Sequence, residues 1–397
     1  DEASTPLVIS CKEGGPHRFP APFLVARDVA MSLVAGKDFT QPASGKSIRL
    51  TEEGQRRIGS GEFPVPWQEL RRPWPRYVEN ALQALHRFER DVQYVISDDE
   101  IVIVDEFTGR ARPESSWKDG LHQAVEAKEG LTIQSEADSA ASISRQRFYR
   151  LYENVCGMTG TAIDSAGEFW EVFHLPVVPI PRNKPSQADT RPARVFVSQE
   201  DKFHAVVADI AERHRRGQPV LVGTRTIGNS ERLTEMLTSA GIPHRLLNAR
   251  QDAEEAAIIA EAGQPGAVTI ATNMAGRGTH IDLGAGVPDL GGLHVIALEI
   301  EESHRIDLQL TGRAARQGQP GSSQLFLSAD DYVIRQYAAE EAETLAKAKA
   351  DPRGEVPAKR WVPVFYRAQS RAEHVRYEAR QGLLRQDDWL SETKRRL

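Results

Sequence analysis

Ala267-Val268-Thr269-Ile270-Ala271-Thr272-Asn273-Met274-Ala275-Gly276-Arg277-Gly278-Thr279 opens as a short apolar run and stops at a glycine-flanked arginine. The run reads as a buried strand, and ligands of open α/β sheets sit at the carboxyl ends of such strands. Arg277 therefore stands where a ligand would be. About one helix further on comes Gln309-Leu310-Thr311-Gly312-Arg313-Ala314-Ala315-Arg316-Gln317-Gly318. Arg313 and Arg316 are three apart, a spacing that a helix places on one face. Three guanidiniums converging on one cleft suggest a phosphate, whose oxygens match the planar fork.

Around these stretches, strand and helix patterns alternate from Val195 onward. Strands are expected at Pro219–Gly223, His244–Asn248, Ala267–Thr272, Leu293–Glu299 and Gln324–Ser328. Helices are expected at Asp201–Arg216, Ser230–Ala240, Ala253–Ala262 and Ser303–Gln317, with Ser230 and Ser303 as N-caps. Such alternation means a parallel sheet covered on both faces.

Upstream, Pro6–Ser10 reads as a short strand, and residues 11–76 are rich in Pro, Gly and charge with weak periodicity. Ile48–Gly54 reads as strand and turn. Phe63, Trp67 and Trp74 lie in proline-stiffened runs; they suit either an extended polypeptide or a small core. Tyr77–Asp91 has helical spacing, Val92–Val104 alternates as a hairpin, and Leu121–Glu129 is helical. Ser144–Val155 is expected to be a helix turning Phe148, Leu151, Tyr152 and Val155 to a core. Gly157–Ala162 is a tight turn and Asn183–Ser186 a linker. Tyr332–Ala350 reads as a charged, exposed helical connector. Ala358–Leu397 is a long amphipathic helix whose Arg367, Arg371, Arg376, Arg380 and Arg385 suit a solvated face.

At 397 residues the chain has room for two or three domains, and no apolar run approaches the ~18 residues of a spanning helix. Cys11 and Cys156 stand alone, which suits a reducing cytosol and offers no zinc site. A net charge of −6 argues against wholesale nucleic-acid binding. Ser44-Gly45-Lys46-Ser47 is not a P-loop, because Thr40 occupies the position of its first glycine.

The two arginine stretches resemble motifs V and VI of the SecA family, ATPase motors of bacterial protein export. Further stretches resemble the same family in order: Asp1-Glu2-Ala3, Val104–Arg110, Asp119–Gly130, Gly157–Ala162 and Gly217–Thr224. The implied fold is α/β: RecA-like parallel sheets of the P-loop NTPase, superfamily-two kind, flanked by helices, with an inserted small α+β domain and a C-terminal long helix. The implied domains are a remnant of the first nucleotide-binding domain (1–10), a shortened preprotein-crosslinking insertion (11–100), the return to the first domain (101–182), a second RecA-like domain (183–345) and the start of a helical scaffold (346–397).

The resemblance implies ATP and Mg²⁺ as cofactors of a protein-secreting ATPase. Asp1 would hold the metal and Glu2 would orient the attacking water, although an isolated Asp-Glu pair is ordinarily a solvated surface pair. Arg277, Arg313 and Arg316 would close over the phosphates. Gly276, Gly278, His280, Asp282 and Gln317 would contact the nucleotide. Asp105-Glu106 follows the family's stem, or on chemistry alone forms a second carboxylate site. Thr159 and Thr161 would relay nucleotide state. The chain departs from the pattern at His280, where the family has Asp, at Ala314-Ala315, where a small polar pair is usual, and at Ser4, where Arg is usual. Without a P-loop, this polypeptide alone is expected not to hydrolyse ATP.

Implied partners are an unfolded preprotein, a SecYEG-type membrane channel, an anionic lipid surface and a second copy of the chain; nucleic acid is not among them. The implied place is the cytoplasm, peripheral on the inner membrane. The rival readings are a superfamily-two nucleic-acid helicase and a degenerate, non-hydrolysing SecA-like polypeptide-binding protein.

Overall fold

A computed structural model describes residues 7–12, 15–41, 48–104, 111–112, 115–247, 255–272 and 279–396. The chain divides into two units. The smaller comprises Leu7–Glu106 and Ala111–Ser142, and the larger includes Ile143–Leu397.

In the smaller unit, the proline-rich stretch hides a helix, Ala21–Ser32, which the weak periodicity of the sequence did not reveal. Pro22 lies in its first turn, where a missing N–H costs nothing. Phe23, Ala26, Val29 and Ala30 are its buried face. The expected strand and turn at Ile48–Gly54 is instead a two-residue strand, Arg49–Leu50, running into a helix, Glu52–Ile58. Thr51 Oγ1 accepts the Gly54 N–H at 3.1 Å and caps that helix. Gly54 is a packing glycine and not a turn: a Cβ there would lie 1.9 Å from Asp38 O.

Helix Trp74–Arg87 begins three residues before its expected start, with Pro75 in the first turn. Trp74 and Phe63 belong to the core, whereas Trp67 is exposed. Strands Tyr94–Ser97 and Glu100–Val104 form the expected hairpin. Its turn residues Asp98 and Asp99 have φ of 51° and 60°, the left-handed pair that a two-residue loop requires.

The larger unit is built on a sheet of eight strands among the described residues. The spatial order is 245–247, 268–272, 220–224, 293–297, 320–328, 194–196 and 355–356, with 187–190 also paired to 320–328. All pairs are parallel except 355–356 with 194–196. Strands 220–224, 268–272 and 293–297 are buried at every residue, as a parallel sheet covered on both faces demands. The α/β, RecA-like class expected from the sequence is what forms. Strand 220–224 separates 268–272 from 293–297, so the order reverses there and opens a crevice at the carboxyl ends.

Four expected helices differ. Ile227–Ser239 starts earlier than read, because Thr226 and not Ser230 caps it; Thr226 Oγ1 accepts from Asn229 N at 3.1 Å. Ser230 is buried and donates to Ile227 O. The helix expected at 144–155 is only Arg145–Tyr149. Asp387 of the long helix grips its start through Ser144 N and Arg147 Nη1. Beyond Arg150 no packed face receives Leu151 or Tyr152, both exposed, and a short helix without such a face does not persist. The helix expected to run from Ser303 to Gln317 is His304–Thr311, and Ser303 stands at its N-cap without a side-chain bond. The connector expected at 332–350 is not exposed. Helices Tyr332–Tyr337 and Ala339–Ala346 bury Val333, Ile334, Ala342 and Leu345 against Trp361, Phe365 and Ala368 of the long helix Ala358–Arg396.

That long helix is held by charge as well as by apolar packing. Arg380 makes a two-pronged pair with Glu168 at 2.7 and 2.8 Å, Arg376 pairs with Glu302, and Arg371 donates to Tyr337 O. Part of the supposed solvated arginine face therefore anchors the helix.

Lys202 is fully buried in helix Gln199–Arg215. Its Nζ donates to Leu298 O at 2.7 Å and to the Asp331 carboxylate, which also accepts from Ser328 N. Lys202→Met should strand that carboxylate without its cation and cost about 3–5 kcal/mol of stability. Urea unfolding would show it, and adding Asp331→Asn should recover part of the loss. An unchanged unfolding midpoint in the single variant would refute this account.

Candidate functional site

Between helix His304–Thr311 and strand Pro320–Ser328 the chain makes a tight reversal. Ala315, Gln317 and Gly318 all have positive φ, at 53°, 56° and 75°. Two of these are not glycine, and such residues cost on the order of 1 kcal/mol or more each. The surroundings impose the conformation. Gly321, opening the strand, passes so close beneath that a Cβ there would lie 2.4 Å from Ala315 N. The side-chain amide of Gln187 donates to Gly318 O at 2.6 Å, and Arg316 Nε donates to Gly312 O at 2.9 Å. Arg313 and Arg316 are thus not neighbours on one helix face, as their spacing suggested. They project from a turn that follows the helix.

Both arginines nevertheless line one cleft of about 1280 Å³. Arg182 and Lys184 also line it, with Thr159, Thr161, Thr190, Thr311, Ser322 and Gln317 among the polar groups. None of its described lining residues is a carboxylate, and four cations line the one cavity. The Thr159 and Thr161 hydroxyls are 3.3 Å apart, and Thr161 N donates to Thr159 Oγ1. His280 and Asp282 lie outside the described lining. Their side chains approach each other at 3.4 Å, and Asp282 is largely exposed. Asp1, Glu2, Gly276, Arg277, Gly278 and the Asp105-Glu106 stem fall outside the described residues, as does Ser44–Ser47. Among the described residues no group of acids, histidines or cysteines could hold a metal ion.

Two polar networks, one beside the cleft and one at the carboxyl ends of the strands, escaped the sequence reading. His294 is fully buried; its Nδ1 shares a hydrogen bond of 2.7 Å with Ser322 Oγ, a lining residue, and its Nε2 lies 3.4 Å from Asp209. Asp209 also accepts from Arg213 at 2.7 Å. Beyond the strand ends, Arg225 reaches Glu301 and Glu302 at 3.4 and 3.5 Å and lies 4.0 Å over the Tyr332 ring. Gln369 of the long helix donates to Glu301 O and to Asp307, and Asp307 accepts from Glu301 N. The loop that leads into helix 304–311, and so toward the arginine turn, is therefore held by the long helix. Lone buried polar residues in apolar strands, such as His294, were the available signal.

Residues 185–289 and 285–351 match the SecA P-loop domain, and residues 21–126 match the SecA preprotein cross-linking domain. The chain is similar to the protein translocase subunit SecA of Thermotoga petrophila, 42% identical over 400 residues, covering 100% of this chain and 45% of that protein. It is similar to the same subunit of Thermosipho africanus, 44% identical over 409 residues, covering 100% and 46%. The chain spans about half the length of these curated relatives. Among solved structures, the E. coli DEAD-box protein SrmB bound to regulator of ribonuclease activity A is 23% identical, covering 38% of this chain and 83% of that chain, with a TM-score of 0.30. A likeness that slight carries no argument.

The network beside the cleft predicts a pH effect. Burial pushes the His294 pKa below its ordinary value, against the pull of Asp209. Burial also works against the Asp209 carboxylate, but the His294 ring beside it and Arg213, which donates to it, outweigh that and hold its pKa down to about 2. Both folded pKa values are depressed, so both contributions are present at neutral pH and lost on acidification. The loss from His294 starts below about pH 6.5, and that from Asp209 only below about pH 4. Asp307, whose pKa burial raises, acts in the opposite sense, so the readout is a difference. Between about pH 7 and pH 5 the native chain should lose more unfolding free energy than His294→Gln. Equal losses would show that His294 does not titrate differently in the fold.

Proposed function

We propose, for a chain that belongs to the SecA family, that its four-cation cleft receives the phosphates of ATP in a protein translocation motor. The observation that carries this reading is the convergence of Arg182, Lys184, Arg313 and Arg316 on a cavity with no described carboxylate. Such a cavity repels acids and rewards a polyanion. The residues fit a polyphosphate: four cations supply charge, and Thr and Ser hydroxyls supply directional donors. Bound ATP with Mg²⁺ would supply the phosphoanhydride whose cleavage does work.

In this reading Arg313 and Arg316 stabilise charge that grows on the phosphoryl oxygens, an action worth most where water is excluded. Arg277 acts with them, and Gln317, Gly276, Gly278, His280 and Asp282 contact the nucleotide. Asp1 would hold the metal and Glu2 would orient the attacking water. The match of residues 21–126 to a preprotein cross-linking domain supports an unfolded preprotein as substrate. The partners are then a SecYEG-type channel and anionic lipid, met peripherally from the cytoplasmic side, and a second copy of the chain. No helix among the described residues is long and apolar enough to cross a membrane.

Two measurements test this. In the full-length polypeptide carrying this chain, Arg316→Lys keeps charge and loses the fork. Turnover should fall by about 10³-fold or more while nucleotide affinity changes little; normal turnover would sink the role. Photo-crosslinkers placed on Trp67 should label an extended, unfolded polypeptide and not single-stranded RNA. Equal labelling of both would favour the helicase reading, and nucleotide binding without turnover the non-hydrolysing one.

A further inference from the structure

We infer that Lys184, in the segment entering the large sheet, is a phosphate-binding residue of the cleft, held in place by the backbone of the arginine turn. The inference rests on the phosphate reading of that cleft and adds to it a residue from outside the arginine motif. Lys184 lies between Pro181 and Pro185, in an exposed stretch with no regular structure. An exposed lysine of this kind ordinarily samples many rotamers and binds nothing well.

Here the stem is seated. A Cβ built on Gly318 would fall 2.9 Å from Lys184 Cδ and 3.0 Å from its Cβ. The lysine's methylenes thus rest where any other residue at 318 would carry a side chain, and the positive φ of Gly318 favours glycine independently. One residue position serves two ends: it turns the chain after Arg316 and leaves a bed for Lys184. Long cationic side chains lay their stems on a surface in this way while the head stays free.

The chain on either side is fixed to the same turn. Gln187 donates its side-chain amide to Gly318 O, and strand Gln187–Thr190 pairs in parallel with Pro320–Ser323. Arg191 N then donates to Ser323 O at 2.8 Å. Gln187 is a positioning residue: it ties the lysine's segment to the turn that carries Arg316. Lys184 lines the cleft, and among the described residues no carboxylate pairs with its ammonium. Cations thus approach the cavity from two separate segments. The arginine turn provides Arg313 and Arg316; residues 182–184 provide Lys184, with Arg182 beside it. Because the stem is already placed, little rotamer freedom is lost when an anion binds.

The test is calorimetric titration of the 397-residue chain with inorganic triphosphate at low ionic strength. Lys184→Ala should weaken binding roughly three- to tenfold, the range between an exposed and a partly shielded charged contact. Lys184→Arg should restore it to within about twofold, since charge and reach are kept. Arg316→Ala should weaken binding to a similar degree. Lys184, Arg313 and Arg316 lie at the surface or in the turn, and circular dichroism would confirm that each variant is folded. If Lys184→Ala binds triphosphate as the native chain does while Arg316→Ala does not, the lysine's role is refuted and the phosphate reading stands. If the native chain binds no triphosphate, or Arg313→Ala and Arg316→Ala both bind it normally, the phosphate reading fails and the inference with it. Triphosphate should also slow hydrogen exchange across 187–190 in the native chain and not in Lys184→Ala; equal slowing in both would count against the lysine.

Discussion

The backbone of Ala315 passes so close to Gly321 that no side chain fits between them. Much of the larger unit's chemistry follows from that one approach. It ends helix His304–Thr311 a turn and a half before its pattern does, and it forces residues 315, 317 and 318 into left-handed conformations. Two arginines that a continuous helix would have stacked are spread along a turn instead. They line a cleft because the strand beneath them begins where it does. Strain of this sort persists only where the surroundings over-determine it. Here strand pairing from 320 to 323 and the segment from 187 to 191 do so from both sides.

Buried charge holds the opposite end of the same sheet. Lys202, Asp331 and Ser328 form one closed set under the sheet. Arg225, Glu301, Glu302 and Arg376 form another at the strand ends. Such groups contribute little net stability compared with apolar packing, and breaking them is costly. Their value is register. The second set joins the long helix to the loop before helix 304–311, so the helix cannot shift without disturbing the approach to the arginine turn. The smaller unit has such sets too: Arg57 pairs with the buried Asp38, and Arg49 and Arg76 face Glu79. Its core is Phe23, Phe39, Ile48, Trp74, Tyr77 and Leu82, with Glu79 and Asp38 among its few buried acids.

The two units also differ in how plainly their residues announce them. In the smaller unit, prolines stand at helix starts and a glycine inside helix 52–58 serves close packing. Both residue types read from sequence as breakers, so helix 21–32 leaves no periodic trace and helix 52–58 resembles a turn. In the larger unit, continuous apolar runs of four to six residues separated by helical patterns leave few alternatives. The sheet was legible there because strands buried on both faces carry no ambiguity of face.

What the sequence determined by itself was the parallel sheet, the alternation of its strands and helices, the hairpin at Asp98-Asp99, the long terminal helix and the ordered motifs of the family. These depend on local pattern: apolar period, turn chemistry and residue order. What the tertiary structure alone decided was where helices stop, which arginines are tethered, and which cations share a cavity. Thr226 displaced Ser230 as a cap, the apolar residues at 151 and 152 found no face to bury, and Lys184 came to lie on Gly318 across 134 positions of sequence. Spacing along one helix cannot report such events, because each is set by a backbone from elsewhere in the chain arriving within van der Waals reach.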